Sequence, residues 1–130
     1  MTKESIFLIF TALGLIPLGI AYGSYPDLNI SPIPFLKEIE INSIDLANIL
    51  SAIMGLYISM AIFWIVAAFK KSITIHALWS LVIFMIGIGL GRVISMLTDG
   101  MPTWPYQFFL LLEIIFALIG YKLIKGYKLN

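Results

Sequence analysis

Residues 44–69 read IDLANILSAIMGLYISMAIFWIVAAF, an apolar stretch of 26 residues in which Asp45 is the one charged residue. A helix that crosses the hydrocarbon core of a bilayer needs about 20 consecutive, mostly apolar residues. The stretch exceeds that length, so it predicts a spanning helix that tilts or protrudes from the bilayer. Lys70 and Lys71 end the apolar run, and another begins directly after them.

Three further stretches, at about residues 5–22, 73–98 and 106–124, have the same apolar character. We interpret the first as a retained span rather than a cleaved signal peptide. The short connections at Lys70-Lys71 and at Asp99-Gly100-Met101-Pro102 make the second, third and fourth helices antiparallel neighbours. Residues 23–43, with three prolines, are expected to form an extended or interfacial outer loop. The sequence therefore predicts an all-α, polytopic membrane protein: one transmembrane domain over residues 1–130, folded as a four-helix bundle.

Composition supports the membrane interpretation and excludes several functional classes. Of the 130 residues, 61% are hydrophobic and 12% are charged, and the mean hydropathy is +1.03. Soluble domains are roughly 45–50% apolar and about 25% charged. The net charge of +1 gives no electrostatic basis for binding nucleic acid. The absence of cysteine excludes disulfides and thiolate chemistry, and with one histidine, His76, we predict no metal site and no cofactor.

The lysines predict the orientation of the bundle in the membrane. Lys37 is the only basic residue predicted on one side, and the other side carries Lys3, Lys70, Lys71, Lys122, Lys125 and Lys128. Because cytoplasmic flanks of spanning helices are enriched in lysine and arginine, both termini are expected in the cytoplasm.

Cap and turn residues predict where the helices begin and end. Asn42 with Asp45 indicates the start of the second helix, and Ser72 is expected to cap the third. Gly100 is expected to stop the third helix. Thr103 followed by Pro105 is typical of the first turn of a fourth.

Arg92 and Glu113 are the most informative residues, since both lie inside predicted spans. Arg92 lies roughly 9 Å below the outer end of the third helix and Glu113 roughly 10 Å below that of the fourth, at about 1.5 Å per residue. An unpaired charge in the bilayer centre costs about 2.5–3.5 kcal/mol on insertion scales. We therefore predict an Arg92–Glu113 ion pair that faces the bundle interior. It either fixes helix register alone or lines a polar pocket open to the outer side.

Five further polar residues are candidates for the same cluster. Asp99 lies seven residues after Arg92 on the same helix face, with Ser95 between them. Asp99 either orients Arg92, borders a pocket mouth, or is only a turn residue. Asp45, Asn48 and Ser51 lie in the first turns of the second helix at the same outer level. They either close a polar cluster with Arg92 and Glu113 or act only as caps and interhelical hydrogen-bonding groups.

Small residues recur at four-residue spacing in two of the spans. Gly87 and Gly91 form a Gly-x-x-x-Gly in the third, and Ser51, Gly55 and Ser59 repeat the spacing in the second. Such spacing lets helices approach closely, and we expect packing within one chain rather than dimerisation.

The run from Gly91-Arg92 through Ser95 to Asp99-Gly100-Met101-Pro102, with Glu113 on the next helix, resembles a family of small four-helix bacterial membrane proteins labelled a domain of unknown function. Asn48 followed by Gly55-Leu56-Tyr57 is similar to the second helix of that family, and the resemblance covers about the whole chain. Members frequently carry arginine about where Ser51 stands, so the resemblance implies one charge fewer in this polar cluster. It implies a bacterial cytoplasmic membrane location and a role for Arg92, Asp99 and Glu113, but no reaction.

Three functions are compatible with these features. The absence of a recognisable catalytic motif favours a non-enzymatic bundle that binds membrane lipid or another lipophile, or that associates with itself or a larger membrane complex. The alternative is a membrane enzyme on a lipophilic substrate, with Glu113 as acid or base and Arg92 as its partner. Proton or ion transport ranks last, because no acidic relay crosses the predicted membrane.

Overall fold

The computed structural model describes residues 1–23 and 42–128, and most of the predicted outer loop (residues 23–43) lies outside them. Within the described residues the chain forms four helices: α1 (Lys3–Gly23), α2 (Ile44–Phe69), α3 (Lys71–Thr98) and α4 (Trp104–Gly126). Each is long and apolar enough to cross a membrane. The prediction of an all-α protein with four spanning helices is therefore confirmed.

The helices alternate in direction along the chain, so two ends of the bundle can be defined. The lysine end contains Lys3, the Phe69–Lys71 connection and the end of α4 at Gly126. The arginine end contains Gly23, Ile44 and the connection between Thr98 and Trp104, and Arg92 lies near it on α3. Contacts near the lysine end show the alternation: Ser5 of α1 donates to the Ala68 carbonyl of α2 at 2.6 Å, and the Tyr127 hydroxyl donates to the Lys71 carbonyl at 3.2 Å.

Two of the predicted cap residues are wrong. The cap of α2 is Ser43, whose side chain accepts a hydrogen bond from the Leu46 N–H, and not Asn42. The cap of α3 is Lys70, without a side-chain hydrogen bond, so Ser72 already lies inside the helix. Lys70 alone separates α2 from α3, so the connection is shorter than the sequence indicates. The Thr74 hydroxyl donates to the Ala67 carbonyl at 2.8 Å across it.

The predicted turn and start between α3 and α4 are confirmed. Gly100 follows the end of α3 with a φ of +106°, a left-handed backbone conformation that glycine adopts without a steric penalty. Thr103 is the cap residue of α4, and Pro105 lies in its first turn, where a missing N–H costs nothing.

The apolar core lies mainly in the half of the bundle nearer the lysine end. Trp64, Leu8, Leu78 and Leu81 are its largest fully buried side chains. The Trp64 indole N–H donates to the Ser80 hydroxyl at 2.9 Å, which joins α2 to α3 inside this core. Toward the arginine end the close packing gives way to a cavity.

The glycines that bring helices together differ from the expected ones. A Cβ atom on Gly19 would lie 2.9 Å from the Tyr57 Cβ, so the backbones of α1 and α2 approach each other closely there. On α3, Gly89 packs toward α4, whereas Gly87 and Gly91 have open space where a Cβ would lie. The prediction that the Gly87–Gly91 pair packs within the chain is wrong, because the residue between them occupies the interhelical face. Ser51, Gly55 and Ser59 are likewise exposed.

Candidate functional site at the arginine end

The buried stripe of α3 leads directly to Arg92. Met85 and Gly89 are the last two buried residues of that helix. Arg92 lies three residues after Gly89, which places it on the same helix face. On α4, Glu113 begins a matching stripe that continues through Ala117 and Gly120. The two stripes face each other, so helix geometry alone brings the two charged side chains together.

Arg92 and Glu113 form the predicted ion pair. The Arg92 Nε lies 2.8 Å from one carboxylate oxygen of Glu113 and 3.0 Å from the other. The side chains are 15% and 9% exposed, so water contributes little to their solvation. Gly89 lies next to the pair, since a Cβ there would be 3.9 Å from a Glu113 oxygen, an ordinary van der Waals contact. A charged pair this well enclosed is held by its own geometry and hydrogen bonds.

The other edge of the Arg92 guanidinium does not face Glu113. Its Nη2 lies 3.5 Å from the Tyr22 hydroxyl of α1, a long hydrogen bond, and its Cζ lies 5.6 Å from the centre of the Phe109 ring. Tyr22 packs edge-on against Tyr57 with ring centres 5.6 Å apart. The guanidinium therefore stands between an anionic partner on α4 and an aromatic wall on α1 and α2.

Arg92 and Tyr22 both line a cavity of about 560 Å³. Its volume lies within the roughly 300–1,000 Å³ that is usual for small-molecule sites. Its walls come from all four helices and from the connection between α3 and α4. Apart from Arg92, the lining side chains are aliphatic, aromatic or small: Tyr22, Ile53, Leu56, Tyr57, Ile88, Gly91, Ser95, Met96, Pro102 and Tyr106. We name it the Arg92 cavity. It combines one fixed cation with a mostly apolar lining.

Glu113 lines a second, more apolar cavity of about 450 Å³ between α3 and α4. Leu110 and Ile114 lie beside Glu113 in its wall, and Tyr121 lies at its far end. Arg92 does not line this cavity, and Glu113 does not line the Arg92 cavity. The ion pair therefore separates two spaces, one with a guanidinium in its wall and one with a carboxylate.

Asp99 and Ser95 lie beside the Arg92 cavity without touching the ion pair. The Ser95 hydroxyl, which lines the cavity, donates to Asp99 Oδ2 at 2.8 Å. Asp99 is exposed and ends α3, and within the described part of the chain it makes no hydrogen bond to Arg92. Of the roles considered for Asp99, that of a turn residue fits this position, with Ser95 linking it to the cavity wall.

Asp45, Asn48 and Ser51 do not join the polar cluster that the sequence suggested. All three are exposed, none lines the Arg92 cavity, and among the described residues none bonds to Arg92 or Glu113. Helix rotation explains this: Asn48 precedes the buried Tyr57 by nine residues, about 180° around a helix of 3.6 residues per turn. Ser43, rather than these residues, caps α2.

Three aromatic residues of the site were not identified from the sequence. Tyr22 is half-buried and contacts Arg92. Tyr57 was noted only within the Gly55-Leu56-Tyr57 motif, and Phe109 not at all. The position of Phe109 one turn before Glu113 was the available signal, because residues four apart share a helix face.

Within residues 1–23 and 42–128, no three His, Cys, Asp or Glu side chains come together as metal ligands would. A family model described as "Domain of unknown function (DUF4345)" matches residues 4–123, which include all but the ends of the four-helix bundle. No curated protein and no solved structure matches the chain.

Proposed function

Since the chain belongs to the DUF4345 family, whose function is unknown, we propose its function from the geometry of the site. The protein is a multi-pass membrane protein that binds a lipid or another lipophile in the Arg92 cavity and does not transform it. It acts in the bacterial cytoplasmic membrane with the lysine end in the cytoplasm, so that the cavity lies in the outer leaflet. The six lysines around the lysine end support this orientation.

The observation that carries the proposal is the position of Arg92 in the wall of a largely apolar cavity. Aliphatic walls at Ile53, Leu56 and Ile88 suit an acyl chain or another apolar body. Arg92 offers a polar group of that molecule a donor that is held in place by Glu113. An ionisable residue inside a spanning segment marks a functional site by default.

Glycine substitutions on α3 provide a direct test. Gly91 lines the Arg92 cavity and has open space where a Cβ would lie, so Gly91→Phe places a ring in the cavity without forcing helices apart. Gly87 is one turn away, equally open, and lines neither cavity, so Gly87→Phe is the matched control. Bound lipophile is quantified by native mass spectrometry of protein released from nanodiscs.

We expect the wild-type protein and the Gly87→Phe variant to retain a bound lipophile, and Gly91→Phe to lose it. Retention by both variants, or equal loss from both, would contradict binding in the Arg92 cavity. Comparable helical circular dichroism spectra of the two variants show that the comparison is made between folded proteins.

The enzymatic alternative is favoured by one observation, the presence of Glu113 in the wall of the second cavity. In that alternative a lipophilic substrate reaches the carboxylate from between α3 and α4, and Glu113 acts as its acid or base. Incubation with a bacterial lipid extract separates the two functions. Binding alone leaves the extract chemically unchanged, whereas catalysis yields a product that disappears in the Glu113→Gln variant.

A further inference from the structure

We infer that the molecule bound in the Arg92 cavity carries a singly charged oxyanion, a phosphodiester or a carboxylate, which both Nη groups of Arg92 bind. The inference rests on the proposed function and specifies the chemical class of its ligand. It follows from which edge of the guanidinium is occupied, from the charges around the cavity, and from the shape of its lining.

The guanidinium has two edges that can donate hydrogen bonds in parallel. Glu113 occupies the Nε position with both of its oxygens, at 2.8 and 3.0 Å. Both Nη groups remain, and among the described residues only the Tyr22 hydroxyl lies within hydrogen-bonding distance of them. Two parallel N–H groups match the two oxygens of a carboxylate or phosphate in a bidentate arrangement.

The charges around the cavity select a singly charged group. Glu113 already balances the charge of Arg92, and Asp99 lies beyond Ser95 at the cavity wall. A doubly charged group would therefore bring two further negative charges beside a guanidinium whose charge Glu113 already balances. An uncharged group would accept weaker hydrogen bonds from the Nη donors than an oxyanion does, because the bonds are strongest when donor and acceptor are both ionised.

The lining indicates that the oxyanion belongs to an amphiphile rather than to a free ion. From Arg92 the cavity continues along Ile88 of α3 and past Ile53 and Leu56 of α2. A small inorganic anion would leave these aliphatic walls uncovered. An acyl chain covers them, which adds burial of apolar surface to the charge-assisted hydrogen bonds at Arg92.

Matched probe pairs test the inference on the purified protein in neutral detergent. Phosphatidylglycerol is compared with diacylglycerol of the same acyl chains, and oleate is compared with oleyl alcohol, so that each pair differs in the oxyanion. The test variant is Arg92→Gln with Glu113→Gln, which removes both charges and leaves no unpaired ion. Arg92→Lys is the second variant, because it retains the charge and removes the bidentate donor.

For the wild-type protein we expect at least one oxyanion probe to bind about tenfold more tightly than its neutral partner, the gain typical of hydrogen bonds to a charged group. The preference should vanish in the double variant and weaken in Arg92→Lys. The pair that shows it, phosphodiester or carboxylate, identifies the source of the oxyanion.

Equal binding of both members of each pair, or a preference that survives in the double variant, would overturn the inference. Its failure is distinguishable from failure of the proposed function. If Gly91→Phe abolishes binding while the neutral probes bind as well as the charged ones, the cavity binds a lipophile and only the oxyanion is wrong.

Discussion

The Nε atom of Arg92 lies within 3.0 Å of both carboxylate oxygens of Glu113, and this contact joins α3 to α4 inside the arginine end of the bundle. The Nη2 atom lies 3.5 Å from the hydroxyl of Tyr22, which lines the Arg92 cavity with Arg92 itself. The Arg92–Glu113 contact therefore does two things: it balances a charge within a spanning helix, and it fixes the direction in which the remaining donors point. Each role has its own test.

The structural role predicts strong coupling between the two charged residues. Arg92→Met or Glu113→Leu alone leaves a buried ion unpaired and should lower the free energy of unfolding by about 3–5 kcal/mol. The double variant should recover most of that loss, because an apolar pair of similar volume needs no compensation. Unfolding by denaturing detergent, followed by tryptophan fluorescence, measures the cycle.

Additive effects of the two substitutions would contradict this coupling. The effects of two substitutions on the free energy of unfolding add within about 0.5 kcal/mol when the two residues are distant and share no partner. Ser59→Ala, on the exposed face of α2, provides the baseline for a substitution far from the pair.

The close approach of α1 and α2 predicts opposite effects for two glycines of one helix. Gly19→Ala places a Cβ 2.9 Å from the Tyr57 Cβ, which moves only with its backbone, so the substitution should destabilise the protein by about 1–3 kcal/mol. Gly14 has open space around it, and Gly14→Ala should be neutral or stabilising by up to about 1 kcal/mol. Thermal unfolding in one detergent compares them. Equal effects would show that the helices do not meet at Gly19.

The hydrogen bond from the Trp64 indole to the Ser80 hydroxyl predicts that loss of this hydroxyl lowers the free energy of unfolding. Ser80→Ala removes the acceptor of a fully buried N–H and should cost about 1–3 kcal/mol. Ser59→Ala is the matched control, because both hydroxyls donate to a carbonyl three residues earlier but Ser59 is exposed. Unfolding free energies that are the same for the two variants would contradict the Trp64–Ser80 contact.

The orientation predicts which sites react with a membrane-impermeant maleimide. The chain has no cysteine, so Thr2→Cys, Met101→Cys and Lys128→Cys each introduce a single reactive site. In right-side-out vesicles Met101→Cys should react at once, and the other two only after permeabilisation. The reverse pattern would place the Arg92 cavity in the inner leaflet.

Much of the fold followed from the sequence because charges interrupt the apolar runs at regular places. Lys70-Lys71 marks the boundary between the second and third helices, and Asp99-Gly100 marks the boundary between the third and fourth. The Arg92–Glu113 pair followed as well. A short turn between two antiparallel helices fixes which of their residues lie at the same depth in the membrane. Opposite charges at the same depth are expected to pair, because an unpaired charge is costly in the bilayer.

The partners of that pair from α1 and α2 did not follow, because these helices are apolar around most of their circumference. Nothing in such a helix fixes its rotation, so Asn48 was expected inward and is exposed, whereas Tyr57 is buried. Tyr22 contacts Arg92 across 70 positions of sequence, a relationship that depends on tertiary packing alone. The close approach of Gly19 to Tyr57 is likewise a tertiary contact, which no spacing in the sequence indicates.

An experimental structure of the protein in a lipid nanodisc would show directly whether the Arg92 cavity holds a lipophile. We expect ordered density for a lipophile in the Arg92 cavity, with a polar group within hydrogen-bonding distance of the Nη atoms and an apolar body along Ile53 and Ile88. A cavity filled by side chains of the protein itself, or occupied by water alone, would contradict this expectation.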